Sequence, residues 1–195
     1  MIGAAVAVIG LLTGWFFLRR PHLIFTNRLA APIWLAIGPA APVSIPPGVS
    51  QRLTLGRDGS QVVQWNLARP LSADERPMGE ELRGSVVVRE PMGTIYSSAT
   101  ARGTGLDYFA PLITNNTDDL LRMKVNAGLE GAVDCGCAVR PGARRVFIGY
   151  YRLYQNSTVR ATDSKGRSAT FKDLGPKISG LEGALGLRFE AKDFR

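Results

Sequence analysis

Leu23-Ile24-Phe25-Thr26-Asn27 returns later in the chain as Pro111-Leu112-Ile113-Thr114-Asn115, and the residues after each copy also agree. After the first copy Ile33, Leu35 and Ile37 alternate with other side chains, and after the second Leu121, Met123 and Val125 do the same. Ile45-Pro46-Pro47-Gly48, followed by Arg52-Leu53-Thr54-Leu55-Gly56, then matches Val139-Arg140-Pro141-Gly142, followed by Arg145-Val146-Phe147-Ile148-Gly149. Apolar side chains at a period of two mark half-buried strands, because successive residues of a strand point to opposite faces. The fixed order of Thr-Asn, strand, Pro-Gly turn and strand predicts two copies of one β unit. Two small β-sandwiches, or one sandwich made from two half-units, would satisfy it.

The rest of the chain fits this frame. Leu53 and Leu55 alternate, as do Val63, Trp65 and Leu67, with proline and glycine ending each run. Pro39, Pro42, Pro46, Pro47 and Gly48 require an extended or turning connection there. Residues 70–84 are the least β-like: Ser72-Ala73-Asp74-Glu75 opens like a capping box, but Pro77 and Gly79 oppose a helix, which predicts one helical turn or a loop. Strands are expected at Ser85–Arg89 and Thr94–Thr100 around a Glu90-Pro91-Met92-Gly93 turn. Further strands are expected between Val146 and Thr162, and at Ala169–Phe171 after the Ser164-Lys165-Gly166-Arg167 turn. In the tail, Leu185, Leu187 and Phe189 alternate and predict a last strand or an extended arm.

The first eighteen residues, Met1 to Leu18, carry no charged side chain and end in Trp15-Phe16-Phe17-Leu18-Arg19-Arg20. A helix of that length reaches roughly 25 Å, the short end of a membrane span. A cleavable signal peptide would need a basic start and a small-residue cleavage site, and neither is visible. The expectation is therefore a single-pass transmembrane helix. Gly3, Ala7, Gly10 and Gly14 share one face of it and predict close packing against a partner helix. Trp15, Phe16, Phe17, Arg19 and Arg20 suit the membrane interface. Positive charge following the span predicts the domain on the cytoplasmic side of a bacterial inner or photosynthetic membrane. The expected fold class is mainly β: an anchor over 1–20, a first immunoglobulin-like β-sandwich unit over 21–105, and a second over 106–195 with a C-terminal arm.

Among 195 residues, 24 Lys and Arg against 16 Asp and Glu give a net charge of +8 and a pI near 10.0. On a tethered domain that balance predicts contact with anionic lipid headgroups or with other membrane-protein subunits. No arginine-rich block or aromatic recognition motif points to nucleic acid. With 45% hydrophobic residues the chain is too apolar for a disordered tail.

Few residues offer chemistry. Cys135 and Cys137, in Asp134-Cys135-Gly136-Cys137, have the spacing to share a soft metal such as copper(I), but a disulfide, packed thiols or reduced thiols are open alternatives. A closed metal site lacks further ligands, since His22 is the single histidine and is remote in sequence. Asp118-Asp119 beside Asn115-Asn116-Thr117 offers oxygen ligands for calcium, or simply a turn. No phosphate loop or serine nucleophile elbow is present. Trp34, Trp65, Tyr150, Tyr151 and Tyr154 read as core or rim residues. The residues thus predict a non-catalytic protein without a cofactor.

The layout of one span, an immunoglobulin-like domain and a paired-cysteine motif resembles the copper chaperones that assemble cytochrome oxidase. Those proteins carry Cys-Phe-Cys-Phe where this chain has Cys135-Gly136-Cys137-Ala138, and the resemblance implies an assembly factor using the cysteine pair. The layout also resembles single-span accessory subunits of bacterial energy-transducing complexes, above all of photosynthetic reaction-centre and light-harvesting assemblies. That resemblance implies a structural subunit that stabilises a multi-subunit complex.

Overall fold

The computed structural model describes residues 21–56, 59–89, 93–101, 107–130, 135–178 and 182–195. The first half holds β1 (His22–Asn27), β2 (Ile33–Ile37), β3 (Val43–Ile45), β4 (Ser50–Thr54), β5 (Gln61–Leu67), β6 (Arg83–Val88) and β7 (Thr94–Ala99). The second holds β8 (Tyr108–Asn116), β9 (Leu121–Val125), β10 (Cys137–Val139), β11 (Val146–Phe147), β12 (Tyr151–Arg152), β13 (Val159–Thr162), β14 (Ser168–Phe171) and β15 (Ala184–Glu190).

Each half is a two-layer sandwich. In the first, a sheet ordered β4-β1-β7 faces one ordered β3-β2-β5-β6. Leu23 and Phe25 from one layer and Ile33, Leu35, Val63 and Trp65 from the other share one buried core, as period-two alternation requires. In the second, β11 and β15 flank β8, and the facing sheet runs β10-β9-β13-β14. The sense of pairing also repeats: β1 is antiparallel to β4 and parallel to β7, and β8 is antiparallel to β11 and parallel to β15. The tail is thus a strand that closes the second sheet, with Leu185, Leu187 and Phe189 facing the core.

The repeat extends to single hydrogen bonds. Asn27 Nδ2 donates to the carbonyls of Ala31 and Ile45, and its Oδ1 accepts from Leu29 N. Asn115 Nδ2 donates to the carbonyls of Asp119 and Val139, and its Oδ1 accepts from Thr117 N. Gly48 N donates to Asn27 O and Gly142 N to Asn115 O, so each Pro-Gly turn closes on the same asparagine. Both side chains are fully buried, where an amide with two donors and an acceptor satisfies three backbone groups at a strand-to-strand corner.

The two sandwiches exchange side chains at their junction. Met78, from the loop between β5 and β6, lies in the second core, while Tyr150, between β11 and β12, lies in the first. Tyr150 Oη accepts from Ala30 N and donates to Glu182 O. Glu182 in turn meets Arg28 at 3.3 Å and accepts from Ala101 N. Gly79 and Gly149 cross backbone to backbone: a Cβ on Gly79 would stand 2.6 Å from Tyr150 O, and both glycines have positive φ. Residues 70–84 form no helix. Leu71 and Pro77 make an isolated bridge and Ser72 Oγ accepts from Arg76 N, so the loop alternative holds.

The anchor is corrected. Among the described residues no helix is long and apolar enough to cross a membrane, and the helical segments are the short 3-10 turns Gly175–Lys177 and Ala191–Asp193. Apolar residues alternate with period two in β1, β5 and β9, run buried without a break at 109–113 in β8, and supply two sandwich cores. The fold class is accordingly mainly β without a described spanning helix, and a single-pass membrane localisation is not carried forward. Gly3, Ala7, Gly10, Gly14, Trp15, Phe16, Phe17, Arg19 and Arg20, expected to serve helix packing and the membrane interface, lie outside the described residues.

Candidate interaction surface

No catalytic constellation forms from the expected residues. Cys135 and Cys137 are joined as a disulfide with Cα atoms 5.1 Å apart, and both belong to the second core. A copper carrier needs two free, accessible thiolates, and this pair is bonded and buried. Among the described residues no group of three or more His, Cys, Asp or Glu side chains is placed to hold a metal ion. Asn115 Oδ1 is used by Thr117 N and Thr117 Oγ1 within its own turn, and Asp119 Oδ1 accepts from Ser164 Oγ, which ties that turn to the Ser164–Arg167 turn. His22 stands half-buried on β1, and its Nδ1 is buried without a hydrogen-bond partner in the structure.

Ionisable groups that depart from ordinary behaviour are structural. Desolvation pushes the Tyr150 phenol from 10.0 up to about 12, with the Ala30 hydrogen bond opposing and Glu182 adding to it. Burial raises the Asp163 carboxyl, but the Arg167 side chain and the backbone N–H groups of Arg167 and Lys165 outweigh it and hold it below its usual value. Asp163 thereby pins the Ser164–Arg167 turn. A hydrogen bond and charge from Lys192 hold Glu190 down.

What distinguishes the two units is their outside. With Asn27 set on Asn115, the registers equate β2 with β9 and β5 with β13 residue by residue. On the outer face of the four-stranded sheet, Trp34, Ala36 and Gln64 of the first unit become Arg122, Lys124 and Arg160 of the second. An exposed aromatic face has become a cationic one. In the first unit that face carries a groove of about 690 Å³ lined by Trp34, Pro42, Asn66, Glu81 and Arg83. Underneath, Trp65 faces Gly84, whose Cβ would stand 2.7 Å from the indole, whereas the second unit pairs Ala161 with Ala169. The first unit thus sets one large side chain against a glycine where the second has a small side chain on both strands.

The other outer face differs as sharply. Tyr96, 74% exposed on β7, corresponds to Gly186 on β15, and Ser98 corresponds to Arg188. Between Val49 and Gln51 stands one residue, Ser50. Between their counterparts Ala143 and Val146 stand two, Arg144 and Arg145. The extra residue is a bulge, with Arg145 at φ 50° and its N–H donating to Thr114 Oγ1. A groove of about 530 Å³ results, floored by Leu112 and Gly186 and walled by Thr114, Arg144, Arg145 and Arg188.

Sequence reasoning assigns none of these arginines to a site. It sets Arg52 against Arg145, whereas strand register sets Arg52 against Phe147. The inserted residue is the signal that would find them, and it shows only when the copies are aligned through their hydrogen bonds. Compared with known proteins, the chain matches no family model, no curated protein and no solved structure.

Proposed function

We propose that this chain is a non-catalytic structural subunit of a multi-subunit bacterial complex, a two-unit β platform that holds partner proteins against differently charged faces. The observation that carries this reading is the combination of a locked interior with diverged exteriors. Buried polar side chains such as Asn27, Asn115 and Asp163 are spent on backbone and turn contacts, and the junction is fixed from both sides by Met78 and Tyr150. Equivalent outward positions, by contrast, carry Trp34 in one unit and Arg122 in the other. Interfaces select aromatic and arginine side chains in this manner, because both give large contact area or forked hydrogen bonding.

A reaction-centre and light-harvesting assembly is the first host to test, with the paired sandwiches rather than a spanning helix as the part of this chain that would contact it. A tagged chain recovered from its own cells in mild detergent should run in a particle far larger than its 21.1 kDa, and the absorbance of that particle identifies a pigmented or haem-bearing host. Recovery as a free monomer under the same conditions would overturn the subunit reading. Recovery in a colourless complex would keep the reading and exclude the photosynthetic host.

A further inference from the structure

Resting on the subunit reading, we infer that the arginine groove of the second unit, between β8, β15 and the Arg144–Arg145 bulge, is the docking site for an acidic segment of a partner protein. Three departures from the first unit build it together: a protruding tyrosine is replaced by Gly186, a serine by Arg188, and one residue is inserted to give Arg144-Arg145. Removal of a side chain opens the floor, since nothing lies within 4 Å of where a Cβ on Gly186 would be. The bulge costs conformational energy, because a long side chain at φ 50° occupies a region that L residues other than Asn and Asp seldom adopt. A strained arginine beside two others is not a stabilising arrangement in itself. Their mutual repulsion is relieved by an anion.

Among the described salt bridges none engages Arg144, Arg145 or Arg188. Glu190, one row along the same strand face as Arg188, is paired with Lys192 at 2.8 Å and feels the Arg188 charge only as a smaller, longer-range attraction. Guanidinium forks match carboxylates in pairs, and Thr114 and Asn116 add neutral polar groups at the rim. The lining contains no aromatic ring on which a base could stack, which disfavours a nucleic acid. Its charges surround a recess floored by Leu112 and Gly186, a shape for an extended chain carrying acidic side chains more than for a flat headgroup layer.

The test uses the full chain and a fluorescein-labelled peptide of alternating Glu and Gly residues, read by anisotropy. Arg188→Ser and Arg145→Gly should each weaken binding about tenfold, as expected for loss of a charge-assisted contact. Arg145→Gly should at the same time leave the melting temperature unchanged or raise it, since glycine relieves the left-handed φ. Arg76→Gln and Arg89→Gln, exposed on the first unit, should change binding less than about twofold. Equal weakening by both sets would mean that only net charge is felt, and would overturn the groove. Arg188-dependent binding to vesicles containing phosphatidylglycerol, with none to the peptide, would overturn the acidic-protein assignment. Finally, Arg188→Ser should release the chain from its native particle. If the variant stays bound the groove is not the docking site, although the subunit reading stands; if the unaltered chain is already free, that reading fails by itself.

Discussion

Asn27 and Asn115 are the residues on which the corners of the fold turn. Each satisfies two carbonyls and one N–H that would otherwise be buried without partners. Asn27→Ala should cost about 3 kcal/mol or more in urea unfolding, and Asn27→Asp, which keeps the acceptor but loses both donors, should recover little of it. Tyr150 is the other decisive residue. An unfolded chain releases its phenolic proton near 10.0, whereas the folded chain holds it until about 12. Between those values the unfolded state binds fewer protons, so stability is fully present below pH 10.0 and falls as pH rises toward about 12. Melting temperatures followed through that window should show the decline, and Tyr150→Phe should flatten it while lowering stability at neutral pH. Gly79→Ala, at φ 73° and facing Tyr150 O at 2.6 Å, should cost about 1–3 kcal/mol by the same measurement.

Strands, more than single residues, are what the sequence announces. Ile33–Ile37 and Leu121–Val125 lie in β2 and β9 because their alternation survives any tertiary context in which one face is buried. The equivalence of the Asn27 and Asn115 corners was legible for the same reason, since Thr-Asn before a turn has a local backbone purpose. The bulge was not legible. Arg145-Val146-Phe147-Ile148-Gly149 resembles Arg52-Leu53-Thr54-Leu55-Gly56 in pattern, and nothing local shows that two residues must be skipped to restore pairing with β8. The arginine groove is invisible for a further reason: its walls come from segments distant in sequence, brought together by the pairing of β8 with β15 on one side and with β11 on the other. Cys135 and Cys137 were ambiguous because spacing alone does not decide between ligand and bridge. Their loop is so short that the bridge removes little chain entropy. Replacing both with serine should lower stability by about 1.5 kcal/mol and leave the fold intact. Alkylation of the denatured, unreduced chain should add no mass, whereas alkylation after reduction should modify both cysteines.

At the scale of the molecule, the exchange of Met78 and Tyr150 makes each core incomplete without the other half. Tyr150 is fully buried in the first core, and burying a side chain of that size contributes about 2 kcal/mol before its two hydrogen bonds are counted. A platform built this way holds its outer faces at fixed spacing, which is what a subunit contacting several partners requires. Independent sandwiches on a hinge would not. Scanning calorimetry of the full chain tests this directly. The account predicts one cooperative transition with calorimetric and van't Hoff enthalpies in agreement, and its separation into two when Tyr150→Ala removes the side chain from the junction. Two transitions in the unaltered chain, insensitive to that substitution, would contradict it.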